Sequence, residues 1–252
     1  MSLRLLCAAL AVVSTLAACG GGKPDQAPLA DGDQPIVLID RRARAAPAAA
    51  EWALPGYVLL ADGAAIVRAP DQGIVLSATR RTLSAAQVAD MFRRAGGADL
   101  FRSRTFQRDV VDGMALVVRI TSNKGRYETT VVQPGPDESG DRGRVTRFAA
   151  TAPRVGEPVG AYEPDRVAAV VVAGNDDTSD VRPWPLTVPA TGMPGFPSRP
   201  CLIIDGPQVP ALLASARTAT IHTRWSADGA ALSLRIRPLL PYEHRCDDLH
   251  RG

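Results

Sequence analysis

Two neighbouring carboxylates are the first groups in this chain that could cleave a bond. Glu138 and Asp141 lie close together in the sequence, and acid–base cleavage of a glycosidic bond needs a pair of carboxyl groups. Both belong to the polar stretch PGPDESGDRG at 134–143, which is typical of an exposed loop. Such a loop offers no apolar wall that would raise a carboxyl pKa. We therefore assign no catalytic residue here.

Residues that could bind a metal ion are equally sparse. His244 and His250 flank Cys246 near Asp247, but histidines in a terminal segment are usually solvated, and the spacing is not that of a zinc site. The acidic run NDDTSD at 175–180 lacks the spacing of an EF-hand loop. The sequence therefore predicts no metal site and no cofactor.

The local signatures of common enzyme classes are missing. The sequence contains no Gly-x-Ser-x-Gly, no Gly-x-Gly-x-x-Gly behind a strand, no phosphate-binding loop and no His-Glu-x-x-His. A site assembled from distant positions needs no such signature. A cell-envelope hydrolase thus stays open as an alternative, while a non-enzymatic protein is favoured.

Two tryptophans are the candidate residues of a ligand groove. Trp184 stands between Pro183 and Pro185, and Trp225 lies in a predicted strand. Aromatic and proline-rich segments can line a groove for a small ligand. Packing over a sheet is the alternative for the same side chains.

The N-terminus has the organisation of an export signal. An apolar run from Leu5 to Leu16 follows Arg4, and at about a dozen residues it is too short to span a bilayer. It leads into Leu16-Ala17-Ala18-Cys19, which resembles the bacterial lipobox. That resemblance implies that residues 1–18 are removed as a signal peptide and that the Cys19 thiol receives the lipid, as a thiolate nucleophile would.

The residues behind Cys19 are suited to a membrane tether. Residues 19–33 are rich in glycine and polar residues, which favours a flexible linker. We expect a chain anchored in the cell membrane by the lipid on Cys19, with residues 34–252 folded on the extracytoplasmic face as one domain or as two lobes, at about 34–155 and 160–250. The formal net charge of +3 is scattered along the chain, so nucleic acid is not an expected partner.

Two cysteines remain after those of the signal and the lipid site are set aside. Cys201 and Cys246 would lie in an oxidising compartment, where an even number of cysteines favours a disulfide. Two separate buried thiols are the alternative. In the chain-entropy picture, such a bond would stabilise the fold by roughly 4 kcal/mol.

Two helices are predicted by apolar periodicity. The first begins behind Ser84, with Gln87 completing a capping box, and its apolar residues recur at helical spacing up to Ala95. The second covers about 207–216 and has a similar apolar stripe. The stretch 144–152 is compatible with either a helix or a strand.

Strands joined by tight turns account for most of the remaining chain. Asp62-Gly63, Asp112-Gly113, Ser122–Gly125 and Asp228-Gly229 each stand between apolar runs, as in β-hairpins. The fold class is therefore α+β, with antiparallel hairpins forming one or two sheets and the two helices packed on a face.

A possible internal repeat joins these elements. The segments 112–120 and 228–236 are similar, and each follows a predicted helix and strand. Either a helix-plus-hairpin unit is duplicated, or two common hairpins have converged.

Two further segments carry a family resemblance. The early stretch Leu54-Pro55 with Asp62-Gly63, and the tail Arg237-Pro238-Leu239-Leu240-Pro241 with Glu243 and Cys246, resemble uncharacterised actinobacterial lipoproteins. The resemblance supports the predicted membrane location and the predicted fold, and it implies no activity. We expect a membrane-anchored protein that binds an envelope protein or a small ligand.

Overall fold

A computed structural model describes residues 26–29, 33–43, 52–110, 113–172, 180–187, 195–196, 199–227 and 230–251. The predicted signal peptide, Cys19 and most of the acidic run at 175–180 lie outside these residues. The same is true of Asp112 and of Asp228-Gly229.

Strands dominate the described residues. The three α-helices are α1 (Ala85–Gly97), α2 (Gly140–Thr151) and α3 (Gln208–Arg217). The strands are β1 (Pro35–Ala43), β2 (Tyr57–Leu60), β3 (Ala64–Gln72), β4 (Val75–Thr82), β5 (Arg104–Phe106), β6 (Met114–Ser122), β7 (Gly125–Val132), β8 (Glu157–Ala161), β9 (Arg166–Val171), β10 (Val181–Pro183), β11 (Gly195–Phe196), β12 (Arg199–Asp205), β13 (Arg224–Ala227) and β14 (Ala230–Pro238). The α+β class holds in this coarse sense, with the sheet as the larger part.

Helix α1 forms where its sequence predicts it. The Ser84 side chain accepts a hydrogen bond from the Gln87 backbone N–H, and the Gln87 side chain accepts one from the Ser84 N–H. This reciprocal cap satisfies two of the donors that a helix start leaves unpaired. The predicted apolar stripe, Val88, Met91, Phe92 and Ala95, is buried.

The strands are connected in a single mixed network. Their order is β11-β12-β9-β14-β4-β3-β2-β1-β6-β7-β5, with β8 added beside β4 and with β13 joining β10 to β14. The turn at Gly63, which has a positive φ of 84°, joins β2 and β3 as an antiparallel pair. The turn between Ser122 and Gly125 joins β6 and β7 in the same way.

One predicted hairpin is wrong. Residues 105–121 do not fold back on each other through Asp112-Gly113, because β5 pairs in parallel with β7 and β6 pairs with β1 and β7. By contrast, β13 and β14 form the antiparallel pair expected around Asp228-Gly229. The two similar segments therefore have different strand partners, which favours convergence over a duplicated helix-plus-hairpin unit.

The stretch 140–151 is a third helix, so the expected polar loop over 134–143 ends at Ser139. Helix α2 buries Val145, Phe148 and Ala149 in the same core as α1. Gly143 is required there, because a Cβ atom would come within 2.0 Å of the Glu138 carbonyl oxygen.

Opposite faces of the strands belong to different cores. Tyr57 and Leu59 of β2 pack with α1 and α2, whereas Val58 and Leu60 point to the other face. That second core combines β1–β4 with residues of β9 and β12 and with Leu239, Leu240 and Leu249 of the C-terminal tail. Helix α3 covers a third core on β9, β12 and β14.

The tail is fixed by a disulfide and by a buried ion pair. Cys201 and Cys246 are bonded, with a Cα–Cα distance of 6.2 Å. Arg237 donates to both carboxylate oxygens of Glu243, at 2.5 and 2.8 Å, and also to the Trp52 carbonyl at 2.7 Å. Both charged side chains are fully buried. Arg237 and Glu243 of the tail motif therefore stabilise the core.

Candidate functional site

A groove beside α1 is large enough to hold a small ligand. It has a volume of about 910 Å³ and lies between α1, the loop after it and the N-terminal segment, residues 26–29. Pockets that hold small molecules span roughly 300–1,000 Å³. We call this feature the α1 groove; its lining includes Ala89, Phe92, Gly96, Phe101 and Pro28.

Aromatic rings form the apolar part of the α1 groove. The Phe92 and Phe101 ring centroids are 5.9 Å apart, and Phe101 meets Tyr127 edge-on at 6.0 Å. Phe92 is almost fully buried, which fixes its position through the α1 core, while Phe101 is only partly buried. Offset and edge-on ring contacts of this kind hold aromatic side chains in defined orientations.

Charged groups border the α1 groove. Arg93 is paired with Asp90 of the preceding turn, and Arg102 binds Asp99 at 2.5 Å. Asp99 also binds Arg104 at 3.2 Å. An apolar floor with an ionic rim suits an amphipathic ligand, because the chain is removed from water and the polar end stays in contact with charge.

The N-terminal segment forms one side of the α1 groove and is held by the β6–β7 turn. Ser122 Oγ donates to Gln26 Oε1 at 2.6 Å, and Asn123 N–H donates to the Ala27 carbonyl at 3.0 Å. Pro28 forms a bridge with Ser122. Residues 26–29 are therefore held beside the groove.

The two tryptophans are in contact but are not at an open surface together. Their rings meet edge-on with centroids 6.1 Å apart. Trp225 is fully buried beneath α3, and Trp184 packs against the same core. This arrangement is the sheet packing that the sequence left open as the alternative to a groove.

The candidate carboxylate pair is engaged by arginines. Glu138 accepts from Arg142 Nη2 at 2.8 Å and Nε at 3.1 Å, and these hydrogen bonds hold the pKa of Glu138 below its ordinary value. Asp141 binds Arg104 at 3.0 Å. A general acid needs a raised pKa, so Glu138 is set up as a structural anion.

The histidine-containing tail gathers no metal site among the residues that the structure describes. His244 Nδ1 lies 3.1 Å from Arg166 Nη2, and a guanidinium at that position competes with a cation. Asp248 accepts the backbone N–H groups of His244 and Arg245.

Comparison with protein-family models, with curated proteins and with solved structures gives no match for this chain. None of the helices in the described part of the chain is long and apolar enough to cross a membrane.

Sequence reasoning did not find the α1 groove. Phe92 belongs to the apolar stripe of α1, but Phe101 and Pro28, which line the same groove, carry no motif. The available signal is the Phe101–Arg102 pair, which follows the Gly96-Gly97 helix end after three intervening residues and places an aromatic ring close to the end of the helix.

Proposed function

We propose that this chain is a lipid-anchored protein of the extracytoplasmic face of the cell membrane, and that it binds an amphipathic ligand in the α1 groove without chemical conversion. The observation that carries the proposal is the α1 groove, which has an aromatic floor and a side wall formed by residues 26–28. The lipobox at 16–19 supplies the anchor.

Distance along the chain supports a groove near the bilayer. Only seven peptide steps separate Cys19 from Gln26, which is at most about 25 Å of extended chain. The groove would therefore lie close to the membrane surface, where ligands with an acyl chain are concentrated. A partner protein that binds at the α1 groove would likewise have to reach it close to the membrane surface.

The anchor is tested by metabolic labelling in cells. The full-length chain should incorporate radioactive palmitate and fractionate with membranes, and Cys19→Ala should abolish the labelling because no other residue supplies the thiol of the lipobox. A Cys7→Ala variant is the matched control and should label normally. Labelling that persists in Cys19→Ala would remove the anchor from the proposal.

The groove is tested with a photoactivatable long-chain fatty acid added to the purified mature protein in a non-ionic detergent. Irradiation should crosslink the probe to peptides of α1 and of the loop after it. Ala89→Trp fills the groove from an exposed position of α1 and should reduce this crosslink about tenfold, the loss expected when roughly 1.4 kcal/mol of apolar contact is removed.

Ala150→Trp is the matched control, since Ala150 is an exposed alanine on α2 outside the groove. Its helix-propensity cost equals that of Ala89→Trp within a few tenths of a kcal/mol. Equal crosslinking in the two variants, or crosslinks spread over the whole surface, would reject the groove as the ligand site.

A further inference from the structure

A shallow pocket lies between α1 and α2. It has a volume of about 220 Å³, and its lining includes Gly97 at the end of α1 and Phe148 of α2. It shares no residue with the α1 groove. We call it the arginine pocket, because Arg94, Arg144 and Arg147 all line it.

Positive charge dominates the arginine pocket. The lining combines three guanidinium groups and contains no carboxylate among the residues that the structure describes. Arg144 and Arg147 are three positions apart in α2, so their side chains lie on the same face of the helix. Like charges at such a spacing repel each other. An anion bound in the pocket would relieve this repulsion.

Two of the three guanidinium groups have no acidic partner. Arg147 is exposed, and its one hydrogen bond is a long contact from Nη1 to the Glu138 carbonyl oxygen at 3.4 Å. Arg94 is half-buried and donates to the Thr151 hydroxyl. Neither arginine makes an ion pair with a residue in the described part of the chain. Since a guanidinium carries five N–H donors, both keep most of their donors for a ligand.

The unbalanced charge of the pocket matches a dianion. Arg144 forms an ion pair with Asp141, one turn earlier in α2, so part of its charge is already balanced. Arg94 and Arg147 leave two positive charges without a counterion, which favours a ligand with two negative charges over one. A phosphomonoester carries about 1.5 to 2 negative charges at pH 7, and its oxygens match the planar fork of arginine donors.

We propose that the arginine pocket binds the phosphate of a phosphomonoester, with Arg94 and Arg147 as its donors. Because the pocket is shallow, only the phosphate would lie against the helices, and the rest of the ligand would stay in solvent. Soluble molecules and lipid headgroups both carry this group. Neither the lipid anchor nor the α1 groove is needed for the site.

Titration calorimetry of the purified protein in an uncharged detergent tests the ligand chemistry. Glycerol 3-phosphate should bind saturably. Dimethyl phosphate and acetate carry a single negative charge each, and they should bind at least about tenfold more weakly.

Phosphatidic acid in the same detergent presents the phosphomonoester on a lipid and distinguishes the two sources. The comparison uses the Ala89→Trp variant, in which the α1 groove is filled and acyl chains gain no contact there. Tighter binding of phosphatidic acid than of glycerol 3-phosphate would identify a lipid as the source. Equal or weaker binding would identify a soluble phosphomonoester.

Arg147→Gln tests one of the two donors. It should weaken the binding of glycerol 3-phosphate about tenfold, because it removes a guanidinium group that pairs with the phosphate oxygens. Arg126→Gln is the matched control, since Arg126 is an exposed arginine outside the pocket. The net charge changes equally in both variants, and binding by Arg126→Gln should equal that of the parent.

Gly97 allows a test that leaves every arginine in place. A Cβ atom at this exposed position meets nothing within 4 Å, so Gly97→Asp and Gly97→Asn both fit the fold. Aspartate places a carboxylate beside the guanidinium groups and should abolish binding. Asparagine has the same size without the charge and should largely retain binding. Thermal unfolding of both variants checks that they fold like the parent.

Three results would overturn the site. They are no saturable binding of glycerol 3-phosphate, equal affinity of the Arg147→Gln and Arg126→Gln variants, and equal loss of binding in Gly97→Asp and Gly97→Asn. Binding of dimethyl phosphate as tight as that of glycerol 3-phosphate would refute the preference for a dianion. Palmitate labelling and the fatty-acid crosslink do not depend on these results.

Discussion

Removing Arg237 should destabilise the fold more than any exposed substitution. Arg237 and Glu243 are both fully buried, and the Glu243 carboxylate depends on the guanidinium for two hydrogen bonds and on the Leu240 N–H for a third at 2.8 Å. Arg237→Met leaves this carboxylate without its countercharge. Breaking one side of a buried ion pair typically costs about 3–5 kcal/mol.

The loss extends beyond the ion pair. Arg237 also donates to the carbonyls of Trp52 and Pro238, and each buried acceptor left unpaired costs about 1–3 kcal/mol before relaxation. We therefore expect a loss near the upper end, about 4–5 kcal/mol. Urea unfolding measures it directly, because Trp52 and Trp225 are buried in separate cores and report both parts by fluorescence.

The double variant Arg237→Met with Glu243→Leu provides the test of mechanism. It removes more contacts but leaves no isolated charge, so its free energy of unfolding should exceed that of Arg237→Met alone. Arg154→Met, at the surface, should change stability by no more than about 0.5 kcal/mol. The reasoning is refuted if Arg237→Met costs under about 1 kcal/mol, or if the double variant loses the sum of both single effects.

Three further predictions concern the tail and two titrating groups. Replacing both Cys201 and Cys246 by serine opens a loop with a sequence separation of 45 and should lower the free energy of unfolding by about 4 kcal/mol, as measured by urea unfolding; an unchanged midpoint would contradict it. The pKa of Glu138 is lowered by Arg142, so its stabilisation is present above pH 4.5 and is lost as the pH falls through the lowered pKa. Glu138→Gln should consequently unfold with a flatter acid limb than the parent, and parallel limbs would argue against the pairing. Burial raises the pKa of Tyr162 from 10.0 to about 12, and its hydroxyl donates to the Leu239 carbonyl at 2.7 Å. Its stabilising effect is therefore complete below pH 10 and is lost as the pH rises through 12. Ultraviolet titration should show a late tyrosinate step that is missing in Tyr162→Phe, and a step that survives this substitution belongs to another tyrosine.

Elements whose ends and apolar faces are encoded by neighbouring residues could be predicted from the sequence. The Ser84–Gln87 cap and the apolar stripe of α1 were readable because both are encoded within a few residues. The same holds for α3, whose buried residues Val209, Leu212, Leu213 and Ala216 recur at helical spacing. The predicted Cys201–Cys246 disulfide was confirmed, since few alternative pairings remained.

For helix α2 the sequence left the stretch 144–152 open between a helix and a strand and assigned the first turn of the helix to a polar loop. Arg142, Arg144 and Arg147 belong to it, and they engage Glu138 and Asp141. Ser139 stands at its start without a side-chain cap. Val145, Phe148, Ala149 and Ala152 recur at helical spacing and are buried, so this part of the helix is encoded locally. The ion pairs and the fit of Gly143 against the Glu138 carbonyl, which lie at the start of the helix, arise only in the folded chain.

Strand pairing and the binding surfaces depended on contacts that are remote in sequence. Strand β5 pairs with β7, although β6 lies between them in the sequence. The Asp112-Gly113 turn instead predicted a local hairpin between β5 and β6. The α1 groove is walled on one side by Gln26, Ala27 and Pro28. The composition of these residues is that of a linker, so the sequence predicts a tether. In the folded chain they are held in position by their contacts with the β6–β7 turn.

The contact between Arg237 and Trp52 spans 185 positions of the chain. The core around Trp52 can therefore close only after the C-terminal tail has been synthesised. Strands β1 to β4 present apolar side chains to a core that stays open until Leu239, Leu240 and Leu249 arrive. In a chain exported as we propose, the N-terminus would emerge first, so that core would stay exposed to water until translocation ended. Because disulfides form and persist in oxidising compartments, the Cys201–Cys246 bond that fixes the tail would form, in the proposed setting, only after export.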